Sequence, residues 1–152
     1  MHLSNFINGL TKRCGPIHAL LPTNLSIVDC FFLGKAFVNL RVGAPAVLLA
    51  SDGQEQSELW SSAEDPIEIA YKIYGFDRKS GLLDWALVDF QSRCFVLWDA
   101  HDRFVGIGGS EAFLRDAIPY PREIQRHFFI EGMAGTISQE EAAEVLDGLT
   151  AR

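Results

Sequence analysis

Apolar residues recur along this chain in two rhythms, one helical and one extended. Phe6, Ile7 and Leu10 share a helical face behind Ser4, which can cap it, and Gly15-Pro16 stops the pattern, so the spacing predicts a helix over Ser4–Cys14. Ile17–Leu25 fits no single element, with Pro22 forcing a turn. Two apolar runs follow, Ser26–Leu33 and Ala36–Val42, and Gly34-Lys35 between them reads as the turn of a tight hairpin. Gly43-Ala44-Pro45 introduces Ala46–Ala50, a strand or short helix that Ser51-Asp52-Gly53 ends. Gln54–Ser62 is polar apart from Leu59 and Trp60, as an exposed loop or edge strand would be. Asp65 then caps a helix with Pro66 in its first position and Gly75 at its end, and Ile69, Ile73 and either Ala70 or Tyr74 form its inner stripe.

Beyond Gly75 the rhythm becomes extended. Leu82–Phe90, Cys94–Ala100 and Arg103–Ile107 are joined only by Gln91-Ser92-Arg93 and His101-Asp102. Such links permit antiparallel neighbours alone, because a parallel crossover takes a dozen residues or more. Apolar side chains occupy both parities of the first two runs, which predicts central strands covered on both faces. Helices return at the C-terminus. Ser110 caps one through Ile118, with Phe113, Leu114 and Ala117 inward, and Pro119-Tyr120-Pro121 breaks it. Arg122–Ile130 is another, ended by Gly132. Ser138-Gln139-Glu140-Glu141 matches a capping box ahead of Ala142, Val145, Leu146 and Leu149, with Glu140, Glu144 and Asp147 on the wet side. No internal repeat stands out. The pattern predicts one α+β domain over residues 1–152: an antiparallel β-meander flanked by helices, with 119–152 as a helical C-terminal extension.

Composition narrows the setting. With 152 residues, 48% hydrophobic and 22% charged, the chain can bury a core without staples. Cys14, Cys30 and Cys94 are odd in number and widely spaced, which speaks for buried thiols in a reducing compartment rather than a disulfide framework. The N-terminal segment has its basic residues after its apolar ones, no apolar run approaches a membrane span, and a cytoplasmic protein is expected. The net charge is −7, and residues 51–70 hold Asp52, Glu55, Glu58, Glu64, Asp65 and Glu68 with no Lys or Arg. Nucleic acid would need a concentrated basic face to displace counterions. An acidic segment repels nucleic acid and attracts basic proteins.

Candidate chemistry is sparse. His2, His18, His101 and His127 show no metal-ligand spacing, and His127 reads as a partly buried packing residue. No metal or other cofactor is expected. Gly106-Ile107-Gly108-Gly109-Ser110 passes from strand to helix, so Gly108, Gly109 and Ser110 could hold an anion on backbone N–H groups, or simply make a tight turn with Ser110 as cap. Asp84, Asp89, Asp99 and Asp102 could supply an acid–base pair, Asp89 and Asp99 coming from paired strands, or could merely satisfy turns. No nucleophile sits beside an evident base, so no catalytic residue is assigned. The most unusual feature is Asp52–Asp65, where Trp60 lies among acids. Glu64 and Asp65 suit the start of the next helix and Asp52 a turn, whereas Glu55, Glu58 and Trp60 suit an anchor for a basic partner.

Arg93–Ile118 carries Trp98-Asp99, a turn, a further strand, and Ser110-Glu111-Ala112-Phe113-Leu114 opening a helix. This segment resembles the C-terminal part of SUKH-type immunity proteins of bacteria, and Leu21-Pro22 is similar to the Leu-Pro near their start. The chain lacks their downstream Asn-Gly-Gly and continues through Pro119–Arg152. The resemblance implies a non-enzymatic protein that binds and blocks a cognate toxin, commonly a nuclease. An acidic inhibitor suits such a basic target. The expectation is therefore a cytosolic protein that binds a basic protein partner, without nucleic acid or membrane, through Asp52, Glu55, Glu58, Trp60 and Glu64. The alternative is a small-molecule-binding or enzymatic α+β domain using the Gly106–Ser110 turn and nearby aspartates.

Overall fold

A computed structural model describes residues 3–22, 25–40, 47–50, 55–56, 65–79 and 83–150. They form an α+β fold of six helices around a six-stranded sheet, with a helical C-terminus. The strands are β1 (Ala19–Leu21), β2 (Val47–Ala50), β3 (Glu55–Gln56), β4 (Trp85–Asp89), β5 (Cys94–Asp99) and β6 (Phe104–Gly108). Their order is β1-β6-β5-β4-β2-β3, and every pairing is antiparallel. The helices are α1 (Asn5–Cys14), α2 (Ile27–Leu40), α3 (Pro66–Lys79), α4 (Glu111–Ala117), α5 (Arg122–Gly132) and α6 (Gln139–Leu149).

The predicted meander is the centre of the sheet. Trp85 stands opposite Trp98, which stands opposite Val105, and Leu87 opposite Val96 opposite Ile107. All residues of β4, β5 and β6 are buried. Alternate side chains enter two separate cores. Trp85, Leu87, Val96, Trp98, Val105 and Ile107 pack with Cys30, Leu33 and Phe37 of α2, Ile69 and Ile73 of α3, and Phe113 of α4. Ala86, Val88, Phe95, Leu97 and Phe104 pack with Ile7 and Leu10 of α1, Phe129 of α5, and Ala142 and Val145 of α6. Strand side chains point to opposite faces in turn, so the sheet is the middle of three layers. Residues 119–150 pack as much of the second outer layer, with Phe129 and Ala142 fully buried.

The hairpin expected across Ser26–Val42 does not form; Ile27–Leu40 is one helix. Ser26 and Asp29 make a reciprocal cap: Asp29 N–H donates to Ser26 Oγ at 3.0 Å, and Ser26 N–H and Oγ–H donate to Asp29 Oδ2 at 3.2 and 2.8 Å. Gly34 is no turn. It lies where α2 crosses the start of α3, and a Cβ there would come within 2.5 Å of the Pro66 carbonyl oxygen. Likewise α3 runs past Gly75 to Lys79. It starts as expected, with Ile67 N–H donating to Asp65 Oδ1 at 2.9 Å.

A local repeat of period ten, unremarked in the sequence pattern, builds both turns of the meander. Asp89 Oδ1 accepts from Ser92 N–H at 3.1 Å, and Asp99 Oδ1 accepts from the N–H groups of His101 and Asp102 at 2.9 Å. Arg93 and Arg103 follow at φ 58° and 57°, the left-handed conformation that closes each turn. Side chains with a Cβ adopt it at a cost of about 1 kcal/mol.

Candidate functional site

The aspartates divide between the two ends of the sheet. Asp89 stands opposite Cys94 at one end of β5 and Asp99 lies at the other, so the pair that the paired strands suggested is not brought together. Five residues of strand put them roughly 17 Å apart along the chain. Asp84, Asp99 and Asp102 do gather at one end. Two of the carboxylates serve the backbone: Asp84 Oδ1 accepts from Ala100 N–H at 2.9 Å, and Asp99 holds the turn described above. Asp99 is only 2% exposed. Burial pushes its carboxyl above the usual carboxylate range; the turn N–H of Asp102 pulls it back, and the neighbouring charges of Asp102 and Asp84 raise it again. An acid held this way is a structural element of its turn.

Gly106–Ser110 is likewise occupied by packing. Leu97 and Ile17 approach Gly106, the Phe95 ring and the Pro16 carbonyl oxygen crowd Gly108, and Cys94 Sγ crowds Gly109, whose φ is +147°. Ser110 caps α4, accepting from Phe113 N–H at 3.2 Å. That helix has seven residues, and Glu111 places a negative charge in its first turn. The arrangement answers to the tight-turn reading. Among the described residues no set of three or more His, Cys, Asp and Glu side chains is placed to hold a metal ion. Cys14, Cys30 and Cys94 are all buried and form no disulfide. Burial raises the Cys14 thiol, partly offset by the charges of Arg13 and Arg93.

His2 lies outside the described residues, and the other three histidines do not converge. His18 is half-buried beside β1, and His101 is exposed in the β5–β6 turn. His127, expected to be partly buried, is exposed: α5 turns Phe129 into the core and leaves His127 and Phe128 outward, their rings 6.3 Å apart. Three shallow grooves stand out among the described residues. Two of them, of 420 and 340 Å³, share His18, Ala19, Arg122 and Gln125 along β1. The third, of 610 Å³, lies between the β5–β6 turn and α6 and presents Asp102, Glu141 and Glu144. In the first, Arg126 donates to both carboxylate oxygens of Asp147, at 2.6 and 3.3 Å, so two of its charges are spent on each other.

Of the acidic segment, Asp52, Glu58, Trp60 and Glu64 lie outside the described residues, and Glu55 falls in β3, an edge strand. What is described is its continuation into α3. Asp65 and Glu68 are exposed, Glu68 in an i,i+4 pair with Lys72 at 3.7 Å. On the same outer side stand Ile67 and Tyr71, one helical turn apart, 53% and 64% exposed. The stripe that turns Ile69, Ala70 and Ile73 inward sets this pair outward. They were overlooked, although the same periodicity singles them out as large apolar residues on a wet face. No family model, curated protein or solved structure matches this chain.

Proposed function

We propose that this chain is a non-enzymatic protein-binding domain that docks a basic protein, with neutralisation of a bacterial nuclease-type toxin as the favoured instance. The observation that carries the reading is the exposed pair Ile67 and Tyr71 beside the acids Asp65 and Glu68. Acids around an apolar anchor divide the work of binding. The charges speed encounter and fade with salt, whereas an aromatic that becomes buried slows release. Glu55, Glu58 and Trp60 extend the same acid-and-aromatic composition in sequence. The toxin assignment is supported by the resemblance of Arg93–Ile118 and by the acidic balance of the chain, which suits a target built to hold nucleic acid.

The test is rescue. Co-expression should protect a bacterial cell from a basic nuclease toxin encoded beside this gene. Tyr71→Ala should weaken the complex about 30-fold through faster dissociation, as loss of a ~2 kcal/mol anchor does. Glu68→Lys should slow association, chiefly at low salt. Neither should lower the melting temperature by more than a few degrees, because both side chains are exposed. A neighbouring gene of another kind, or full rescue by Tyr71→Ala with unchanged kinetics, would remove the proposal.

A further inference from the structure

A second apolar surface joins helices of the two outer layers. Phe31 meets Phe32 edge-on at 6.0 Å, Phe32 meets Tyr120 at 6.2 Å, and Tyr120 meets Phe128 at 5.8 Å. These T-shaped contacts make one continuous aromatic ladder from α2, across the α4–α5 link, to α5. Its flanks are apolar too. Val28 lies one turn before Phe31 and Phe32 and is 55% exposed; Ile124 lies one turn before Phe128 and is 44% exposed. Phe128 itself is half exposed, although Phe129 next to it is fully buried. The helix therefore already has its core residue. Phe128 is not one of the buried core residues and keeps about half of a large ring in water.

We infer that this α2–α5 face seats a second copy of the same chain, related by a two-fold axis. Area is the first argument. With Ile27 and Phe31, both more than a third exposed, the strip presents on the order of 400 Å² of apolar side chain, in the range of the largest patch on a monomer, which is often functional. Two such strips facing each other supply about 800 Å² of the 1,200–2,000 Å² that a stable interface buries, and they would form its apolar centre. Charge is the second argument. Lys35 continues the Phe31 stripe by one turn on α2, Asp29 lies within the strip, and Glu131 continues the Ile124–Phe128 stripe on α5; Lys35 and Glu131 are exposed. A strip carrying both signs allows Lys35 of one copy to face Glu131 of the other across a two-fold axis, and would not single out a strongly basic or acidic partner.

Sedimentation velocity on the full chain, from roughly 1 to 100 µM, decides the matter. The wild type should run as a dimer of the 16.9 kDa chain. Phe128→Asp should make it monomeric, shifting the dimer dissociation constant at least tenfold. Val28→Asp, outside the ladder, should do the same with unchanged far-UV circular dichroism; it carries the test if Phe128→Asp fails to fold. A wild type that stays at 16.9 kDa throughout overturns the inference and leaves the strip to an unlike partner. A dimer that survives both substitutions overturns it as well, because the contact then lies on another face.

Discussion

At Gly34 a hydrogen atom is all that fits between two helices. A Cβ there would lie 2.5 Å from the Pro66 oxygen and 3.2 Å from the Ala70 nitrogen, both backbone atoms that cannot rotate away. Replacing a helical glycine by alanine normally stabilises by about 0.5–1 kcal/mol. Here the sign reverses: Gly34→Ala should cost ~1–3 kcal/mol through overpacking. Gly75 in α3, with nothing within 4 Å of its Cβ position, is the internal control, and Gly75→Ala should show the normal gain. Urea denaturation of the two variants measures both; a stabilised Gly34→Ala would mean that the helices are not so close. Asp99 yields the other prediction at this scale. Its carboxyl is raised above the ordinary aspartate value of 3.8, chiefly by burial, so the folded state binds this proton more tightly than the unfolded chain does. Stability from this group is greatest below 3.8 and falls as pH climbs through the raised folded value. Asp99→Asn keeps an oxygen for the His101 and Asp102 N–H groups and removes the charge. Its melting temperature relative to wild type should therefore rise as pH climbs from the ordinary aspartate range through the raised folded value, and level off above it. A difference independent of pH would show that Asp99 does not titrate in this way.

Among the elements, those with strong local signals were legible. The meander could be read because short links leave only one pairing, and α6 because Ser138 and the stripe of Ala142 and Val145 agree. The α2 helix was misread for a physical reason: apolar residues occupy nearly every position from Ile27 to Phe32, so neither period dominates, and Gly34 imitates a turn. Two signals nonetheless favoured the helix. Cys30, Leu33 and Phe37 keep helical spacing and are among the buried ones, and Ser26-Ile27-Val28-Asp29 is a capping box. If that cap decides the outcome, Ser26→Ala should cost about 1 kcal/mol and reduce helicity at fixed temperature. No change in either would mean that packing alone holds α2. The docking surface was partly legible. The acids are evident from composition and Trp60 is the aromatic that stands out among them, whereas Ile67 and Tyr71 emerge only when the inner stripe of α3 is subtracted from its apolar residues.

Across the whole molecule, two cores share one set of strands, and this predicts how the fold fails. Leu97 belongs to the core under α1, α5 and α6; its chain neighbours Val96 and Trp98 belong to the core under α2, α3 and α4. A displacement of β5 on one side is thus a displacement on the other, with no loop between the cores to absorb it. Leu97→Ala empties space on the α1–α5–α6 side alone, at a cost of ~2–5 kcal/mol. Trp85 and Trp98 report from the opposite side, where both are buried. In a Trp60→Phe background their fluorescence reads that side only. If the layers unfold as one unit, the Leu97→Ala variant should melt at a lower temperature by fluorescence and by far-UV circular dichroism, with the two curves superimposed. If the layers are separable, dichroism should show early loss of α1, α5 and α6 while the tryptophan signal stays near its wild-type midpoint. That second result would refute the shared-strand account and would make the outer C-terminal helices a unit able to open by itself. Coincident curves would mean that the α3 surface and the α2–α5 strip belong to one cooperative body, so that a ligand on either stabilises both.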